Sequence, residues 1–299
     1  MTPVTPLRRK GIVLAGGSGT RLWPVTLGTS KQLLPVYDKP MIYYPISVLM
    51  QAAIQEIAVI TTAEDQANFM RLLGDGSQWG LSLTYIVQPQ PDGLAQAYIL
   101  ARDFLNGAPS ALVLGDNIFF GQGLQDSLAK ADAKELGGTV FGYHVSDPER
   151  YGIVSFDANG RVKDLVEKPA VPQSNYAVTG LYFLDGRAPA LASQLKPSAR
   201  GELEIVDLLT AYLHEGTLDV ETLGRGYAWL DTGTCASLLD AGNFVRTLTE
   251  RQGMQVGSPD EIAFKMGWID DGAFAARAKM FGKSAYGKTL GILGQDAAQ

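Results

Sequence analysis

In Gly11-Ile12-Val13-Leu14-Ala15-Gly16-Gly17-Ser18-Gly19-Thr20-Arg21-Leu22 a short apolar run feeds a glycine-rich turn that closes on an arginine, and Lys31 follows ten residues later. Glycines without Cβ atoms let backbone N–H groups converge on an anion, and an arginine adds a fixed fork of donors. The stretch reads as a strand that delivers a polyphosphate cradle. A tight strand-to-loop turn with one solvated arginine is the plainer alternative, and the paired basic residues favour phosphate. Two familiar cradles fail here. A dinucleotide fingerprint from Gly17 and Gly19 needs glycine at position 22, which is Leu22, and a Walker A loop from Gly16 or Gly17 lacks its Gly-Lys pair. A literal Walker A string does run from Gly282 to Gly287-Lys288-Thr289, but the alanine-rich residues 273–281 before it look helical and ten residues follow it. The motif needs a strand before it and a helix after it, so this match reads as accidental.

Outward from that turn, strand-like runs at 11–15, 56–62, 81–88, 111–115 and 139–145 alternate with helix-like stretches at 41–54, 65–73, 94–105 and 124–133. Such alternation implies a three-layer, Rossmann-like α/β fold with a mostly parallel sheet covered on both faces. Ligands of open α/β sheets bind at the carboxyl ends of the strands, where the Gly16 loop leaves. The second half is richer in β patterns, at 151–156, 161–167, 176–184, 219–222 and 227–230, with helices expected over 204–214 and 234–251. Asp157-Ala158-Asn159-Gly160 is a strong hairpin turn. No linker divides residues 1–250, and residues 251–299 read as a helical tail or oligomer contact.

Composition removes several functions. The formal net charge of −6 offers no basic stripe for nucleic acid, and the basic groups stand singly beside glycines and prolines, which suits a small anionic ligand. No apolar stretch approaches the roughly twenty residues of a membrane span, and residues 1–9 lack the apolar core of a signal peptide. The single Cys235 excludes an intramolecular disulfide and fits a reducing compartment, so a soluble, cytoplasmic protein is expected. With His144 in a strand pattern and His214 ending a helix, a His/Cys zinc site or a serine triad has little to stand on. Chemistry must rest on carboxylates, lysine, arginine and a metal.

Asp116 ends Ala111-Leu112-Val113-Leu114-Gly115, and Asp231 ends Tyr227-Ala228-Trp229-Leu230. Each follows an apolar strand, which in a parallel-type sheet brings both to the ligand edge. Mg²⁺ is typically held by one or two carboxylates with phosphate oxygens and water, and the pair beside a phosphate cradle fits that pattern; either aspartate alone would pass for a turn cap. Val166-Glu167-Lys168-Pro169 supplies a cation and an acceptor for hydroxyls, with Pro169 expected to hold Lys168 extended. An exposed ion pair is the alternative there. In Gln88-Pro89-Gln90-Pro91-Asp92-Gly93-Leu94-Ala95-Gln96-Ala97 a neutral amide such as Gln88 both donates to and accepts from a pyrimidine edge.

These residues, together with Ser30-Lys31-Gln32-Leu33-Leu34-Pro35, Lys39-Pro40-Met41-Ile42-Tyr43-Tyr44-Pro45, Leu114-Gly115-Asp116-Asn117, Asp147-Pro148-Glu149-Arg150-Tyr151-Gly152, Asn175-Tyr176-Ala177-Val178-Thr179-Gly180-Leu181-Tyr182 and Gly224-Arg225-Gly226-Tyr227-Ala228-Trp229-Leu230-Asp231-Thr232-Gly233, resemble the glucose-1-phosphate thymidylyltransferases of the short, tetrameric bacterial type. The likeness spans nearly the whole chain. It implies a nucleotidyltransferase domain over about 1–250, its nucleotide half about 1–145 and its sugar-phosphate half about 146–250, ahead of the helical tail at 251–299.

By that resemblance, dTTP lies on Leu14, Ala15, Gly16, Gly17, Ser18, Gly19, Thr20 and Arg21, with Gln32 and Asp116 beside it. Gln88, Pro91 and the Gly93 backbone read the thymine. Arg21 and Lys31 take the leaving pyrophosphate, Mg²⁺ joins Asp116 and Asp231, and Lys168 steadies the phosphate of glucose 1-phosphate. Asn117, Tyr151, Gly152, Glu167, Val178, Tyr182 and Trp229 surround the sugar. The products would be dTDP-glucose and pyrophosphate, the entry to dTDP-rhamnose synthesis, made by a homotetramer built as a dimer of dimers. A second, inhibitory nucleotide site is implied at Arg225, Glu261 and Ile262, where Lys265 replaces the family's arginine, a residue lysine cannot match for bidentate phosphate contact. Trp23 likewise stands where smaller or more polar rings are the rule. Competing readings are a uridylyltransferase of relaxed base choice and a non-catalytic sugar-nucleotide sensor.

Overall fold

The apolar run Lys10–Ala15 forms the first strand, β1, of the chain. The computed structural model describes residues 7–17 and 19–296, so Ser18 of the glycine loop lies outside the described residues. Next come β2 (Pro35–Val36), β3 (Lys39–Pro40), β4 (Glu56–Thr61), β5 (Ser82–Val87) and β6 (Ser110–Leu114). The later strands are β7 (Asn117–Phe120), β8 (Gly138–His144), β9 (Gly152–Phe156), β10 (Val162–Glu167), β11 (Tyr176–Leu184), β12 (Leu218–Leu223) and β13 (Ala228–Asp231). Helices α1 (Tyr43–Gln51), α2 (Gln66–Leu73), α3 (Gln96–Leu100), α4 (Arg102–Leu105) and α5 (Leu124–Asp132) belong to the first half. The second half adds α6 (Ala188–Ala192), α7 (Ile205–His214) and α8 (Cys235–Gln252), and the tail α9 (Pro259–Lys265), α10 (Asp271–Phe281) and α11 (Ala285–Asp296).

The expected α/β sheet is present. β5, β4, β1 and β6 run parallel, and β11 returns antiparallel against β6. Because the chain moves outward from β1 to β4 and β5, then jumps back to β6 on the other side, the strand order reverses between β1 and β6. Their carboxyl ends frame the crevice where such sheets bind ligands. Side chains alternate through the sheet into two cores. Ile12 and Leu14 pack with Tyr98, Leu105 and Leu209 on one face, and Val13 and Ala15 with Ile46, Leu49 and Trp79 on the other.

The second half grafts antiparallel pairs onto this sheet. β8 lines one edge of β11, while the other edge is shared by β9 near Tyr176 and β6 near Leu184. The β11–β8 register shifts between Val178 and Tyr182. That irregularity turns Gly180 N–H toward Asn117 Oδ1, 3.2 Å away, where a Cβ on residue 180 would sit 2.5 Å from the same oxygen. The hairpin turn stands as read: Asp157 Oδ1 accepts from the N–H groups of Asn159 and Arg161 at 2.8 and 2.9 Å.

Three expectations are corrected. The stretch 94–105 is not one helix but α3 and α4, broken at Ala101 with ψ near 3°. The helix expected over 41–54 is α1 alone, because Ala53 turns into the left-handed region at φ 59°. Asp231 does not hang from the parallel sheet. Its strand β13 pairs antiparallel with β7, a strand absent from the sequence-based expectations, in a separate two-stranded ribbon. The Walker-like string falls at the turn between α10 and α11, with no strand before it.

The tail packs on the domain through a buried polar cluster. Asp260 is fully buried, accepting from Arg277 Nε at 2.5 Å and from Tyr286 OH at 2.7 Å. Beside it the buried Lys39 ammonium contacts Asp38 Oδ1 at 2.6 Å and lies over the rings of Tyr44 and Tyr286. Burial pulls the Lys39 pKa down, opposed by Asp38 and Glu261. No helix among the described residues is long and apolar enough to cross a membrane. Removing one partner of a buried pair strands the other charge, so Arg277→Met is expected to cost about 3–5 kcal/mol in urea unfolding. A loss below about 1 kcal/mol would remove the bridge from the supports of the fold.

Candidate active site

The carboxyl end of β1 meets the end of β5 at Gly16. A Cβ there would lie 1.8 Å from Gln88 Oε1, so any larger residue would have to displace the buried Gln88 amide. Beyond Gly17, Gly19 caps a single helical turn, Thr20–Leu22, which buried Leu22 anchors and which holds Arg21 exposed. A Cβ on Gly233 would lie 3.1 Å from Arg21 Nη2, which sets the guanidinium against the Asp231–Gly233 loop. A second turn, Lys31–Leu33, carries Lys31, and Gln32 is buried with Oε1 accepting from Ser30 Oγ at 2.7 Å.

Lys31 Nζ donates to Asp116 Oδ2, and Asn117 Nδ2 donates to Asp116 Oδ1 at 2.8 Å. Burial by itself would raise the Asp116 carboxyl, but the Lys31 ammonium and the Asn117 amide outweigh it and hold the group below the ordinary carboxylate range. Thr232 N–H and Oγ1 both donate to the Asp116 carbonyl, at 3.1 and 2.8 Å. Asp231 thereby opens into the same cavity, 3.9 Å from Arg150. Asn117 Oδ1 takes the Trp229 indole N–H at 2.6 Å as well as Gly180 N–H, which holds Asn117 chiefly as a strut for its neighbours.

One cavity of about 330 Å³ gathers most of the expected set. Leu14, Gly16, Arg21, Lys31, Gln32 and Asp116 line its side toward the glycine loop. Asn117, Tyr151, Gly152, Glu167, Lys168, Val178, Tyr182, Trp229 and Asp231 line the rest. Gly17, Gln88 and Pro91 border an adjoining cavity of about 590 Å³ together with exposed Trp23. Gly93 lies against the backbone of Leu203, while buried Ala15 and exposed Thr20 flank the loop.

Lys168 is corrected. It is not extended but left-handed, at φ 42°, because its N–H turns back to the Tyr151 carbonyl at 3.0 Å just where β10 ends. Its Nζ stands 3.5 Å from Glu167 Oε1. Burial, and after it the Asp231 carboxylate, pushes the Tyr151 phenol up to about 12, so it stays a neutral donor at pH 7. Tyr182 is raised by burial, then by Glu167 and Asp116.

Sequence reasoning missed two cations of this cavity. Arg150 stands in a motif that carries the family likeness without a role of its own, and Arg200 precedes Glu202 and Glu204 in a loop outside every motif. Arg200 Nη2 meets both oxygens of Glu204 at 2.8 Å and Glu167 Oε1 at 3.3 Å. The signal available was an arginine two and four residues ahead of acids on the approach to a helix. Of the four expected regulatory residues, Glu261, Ile262 and Lys265 share a cleft of about 270 Å³ under the tail, whereas Arg225 lies outside it in the β12–β13 turn. Lys265 Nζ donates to Glu261 Oε1 at 2.5 Å.

A parallel sheet with a glycine-rich loop, two aspartates and converging cations at its carboxyl edge is the architecture of a nucleotidyltransferase, and residues 10–247 match the nucleotidyl transferase family. A glucose-1-phosphate thymidylyltransferase of Xanthomonas campestris is 62% identical over 291 residues, 97% of this chain and 99% of the relative. That of Mycobacterium tuberculosis is 55% identical over 94% of this chain and 97% of the relative. Among solved structures, a Bacillus anthracis chain described as a glucose-1-phosphate thymidylyltransferase, in complex with sucrose, is 41% identical with a TM-score of 0.73, covering 80% of this chain and 95% of that one. A UDP-glucose pyrophosphorylase complexed with UDP-glucose shares the fold at a TM-score of 0.70 and 24% identity, over 81% of this chain and 99% of that one. The chain belongs to the glucose-1-phosphate thymidylyltransferase family.

The Lys31–Asp116 pair gives a test. The folded carboxyl value lies below the unfolded one, about 3.9. The pair therefore adds stability that is full above that value and disappears as pH falls through the folded one. Lys31→Met is expected to cost about 3 kcal/mol near pH 7, the gap to wild type narrowing on acidification in urea titrations. A gap constant down to about pH 3 would contradict the coupling.

Proposed function

We propose that this chain transfers dTMP from dTTP to glucose 1-phosphate, releasing pyrophosphate and forming dTDP-glucose. The observation that carries the reading is the convergence of Arg21, Lys31, Lys168, Asp116 and Asp231 on one cavity. A sugar phosphate is largely ionised at pH 7, its second pKa being about 6, so its oxygen attacks the α-phosphorus without a protein base. Among the described residues no histidine lines the cavity, in keeping with this. What the chain must supply is orientation and charge neutralisation. Arg21 and Lys31 face the departing pyrophosphate, and Lys168 with Arg150 and Arg200 offsets the incoming phosphate. Tyr151, Glu167 and Trp229 frame the sugar.

The donor set suits Mg²⁺. Asp116 and Asp231 present two carboxylates, and among the described residues no group of three or more acidic, histidine or cysteine side chains forms a fuller cage. Mg²⁺ prefers that arrangement, completed by phosphate oxygens and water. When bound, the ion would withdraw charge from the phosphates.

Pyrophosphate release is expected from dTTP only with glucose 1-phosphate present and only without chelator, with dTTP preferred over UTP. Asp116→Asn and Arg21→Ala are expected to lower turnover about 10²–10³-fold with the fold intact. Tight dTDP-glucose binding without turnover would favour a sensor, and equal use of UTP a relaxed uridylyltransferase.

A regulatory nucleotide site is proposed at the cleft of Glu261, Ile262 and Lys265, where both polar atoms of Gln255 and Glu261 Oε2 are buried with no hydrogen-bond partner among the described residues. Inhibition by dTDP-rhamnose that Lys265→Ala relieves is the expected outcome. An enzyme indifferent to that sugar nucleotide would refute it.

A further inference from the structure

Gln88 is buried, and a Cβ at position 16 would lie 1.8 Å from its Oε1, so the glycine leaves that oxygen its room. Its Nε2 donates to Gln96 Oε1 at 2.7 Å. Gln96, the first residue of α3, donates from Nε2 to Asp92 Oδ2 at 2.8 Å, and the Asp92 N–H donates back to Gln96 Oε1 at 3.3 Å. A side-chain amide exchanges its donor and acceptor ends by a flip, so only its neighbours define which end faces where. Here the neighbours leave one solution. A carboxylate accepts and a backbone N–H donates, so Asp92 turns the Gln96 nitrogen toward itself and the Gln96 oxygen toward Gln88. That oxygen in turn requires the nitrogen of Gln88.

We propose that Asp92 and Gln96 are positioning residues that set the polarity of the Gln88 amide and, through it, the choice of nucleotide base. This rests on the reading of Gln88 as the base-contacting amide. Among the described residues Gln88 keeps its second N–H and Oε1 for other partners, one donor and one acceptor in a fixed order. Thymine offers an N3–H donor beside an O4 acceptor, whereas cytosine offers an N3 acceptor beside an N4 amino donor. At both N3 and the group on C4, donor and acceptor are exchanged between the two bases. An amide held one way round pairs with thymine, and the same amide flipped pairs with cytosine. Uracil carries the thymine edge, so the relay separates dTTP from dCTP and leaves UTP unaffected.

The test is the ratio of kcat/KM for dTTP to that for dCTP in pyrophosphate release. Gln96→Met keeps the size of the side chain and removes the relay; the ratio is expected to fall on the order of tenfold, with the KM for glucose 1-phosphate little moved. The double variant Asp92→Asn/Gln96→Glu keeps the polarity, because the new carboxamide at position 92 donates to the new carboxylate at position 96, which still accepts from Gln88. It is expected to restore the ratio. A merely structural Gln96 would lower kcat/KM equally for both nucleotides, and that result, or a double variant no better than Gln96→Met, overturns the proposal. Gln88→Ala separates the two layers of the argument: collapse of the ratio in Gln88→Ala but not in Gln96→Met sinks the relay alone. An unchanged ratio in Gln88→Ala sinks the base-reading role itself.

Discussion

Two loops separated by more than a hundred residues of chain are joined at Asp116, and the candidate site hangs on that junction. Thr232 bonds the Asp116 carbonyl twice, while the side chain of Asp116 is held between Lys31 and Asn117. The backbone contact brings the β7–β13 ribbon to the edge of the parallel sheet, and the side-chain contacts hold a carboxylate ionised despite its burial. A carboxylate in so confined a place persists because an ammonium and an amide face it. The same geometry concentrates negative charge in the cavity, and the surrounding guanidinium and ammonium groups oppose it.

Asn117 extends the junction into the second half. Its carboxamide oxygen takes N–H groups from both Trp229 and Gly180, so the cavity wall at β13 and the irregular part of β11 share one acceptor. Arg200 performs a similar office at the mouth, joining Glu204 at the start of α7 to Glu167 at the end of β10. Leu203, between these acids and the loop of residues 88–97, exchanges backbone hydrogen bonds with Asp92 and Ala95. That loop and the second-half side of the cavity are therefore one connected framework.

The parallel half of the fold is readable in the sequence because its strands are buried on both faces and appear as unbroken apolar runs such as Ile12-Val13-Leu14. Tyr176–Leu184 is readable to the residue for the same reason. The ribbon is not: Asn117–Phe120 starts one residue after a strand-ending turn, and its pairing with Ala228–Asp231 is set by contacts distant in sequence. Lys168 departs from its expected geometry because the preference of a residue before proline is local, and a hydrogen bond to Tyr151 overrides it. Site residues adjoining glycine turns or strand ends are legible. Arg200 is not, since an arginine among glutamates looks like solvated surface until the loop is folded over the cavity.

The seating of Tyr286 over Lys39 ties the helical tail to the edge of the candidate site. Lys39 follows Lys31 through the short β2–β3 hairpin, and Met41 and Ile42 bond back to Leu34 and Gln32. As long as the aromatic lid stays in place, this ammonium is kept from water and leans on Asp38. Were the last helix to lift, hydration of that charge would become favourable and would draw the hairpin outward. The closing helix thus acts as ballast for a lysine some two hundred and fifty residues upstream.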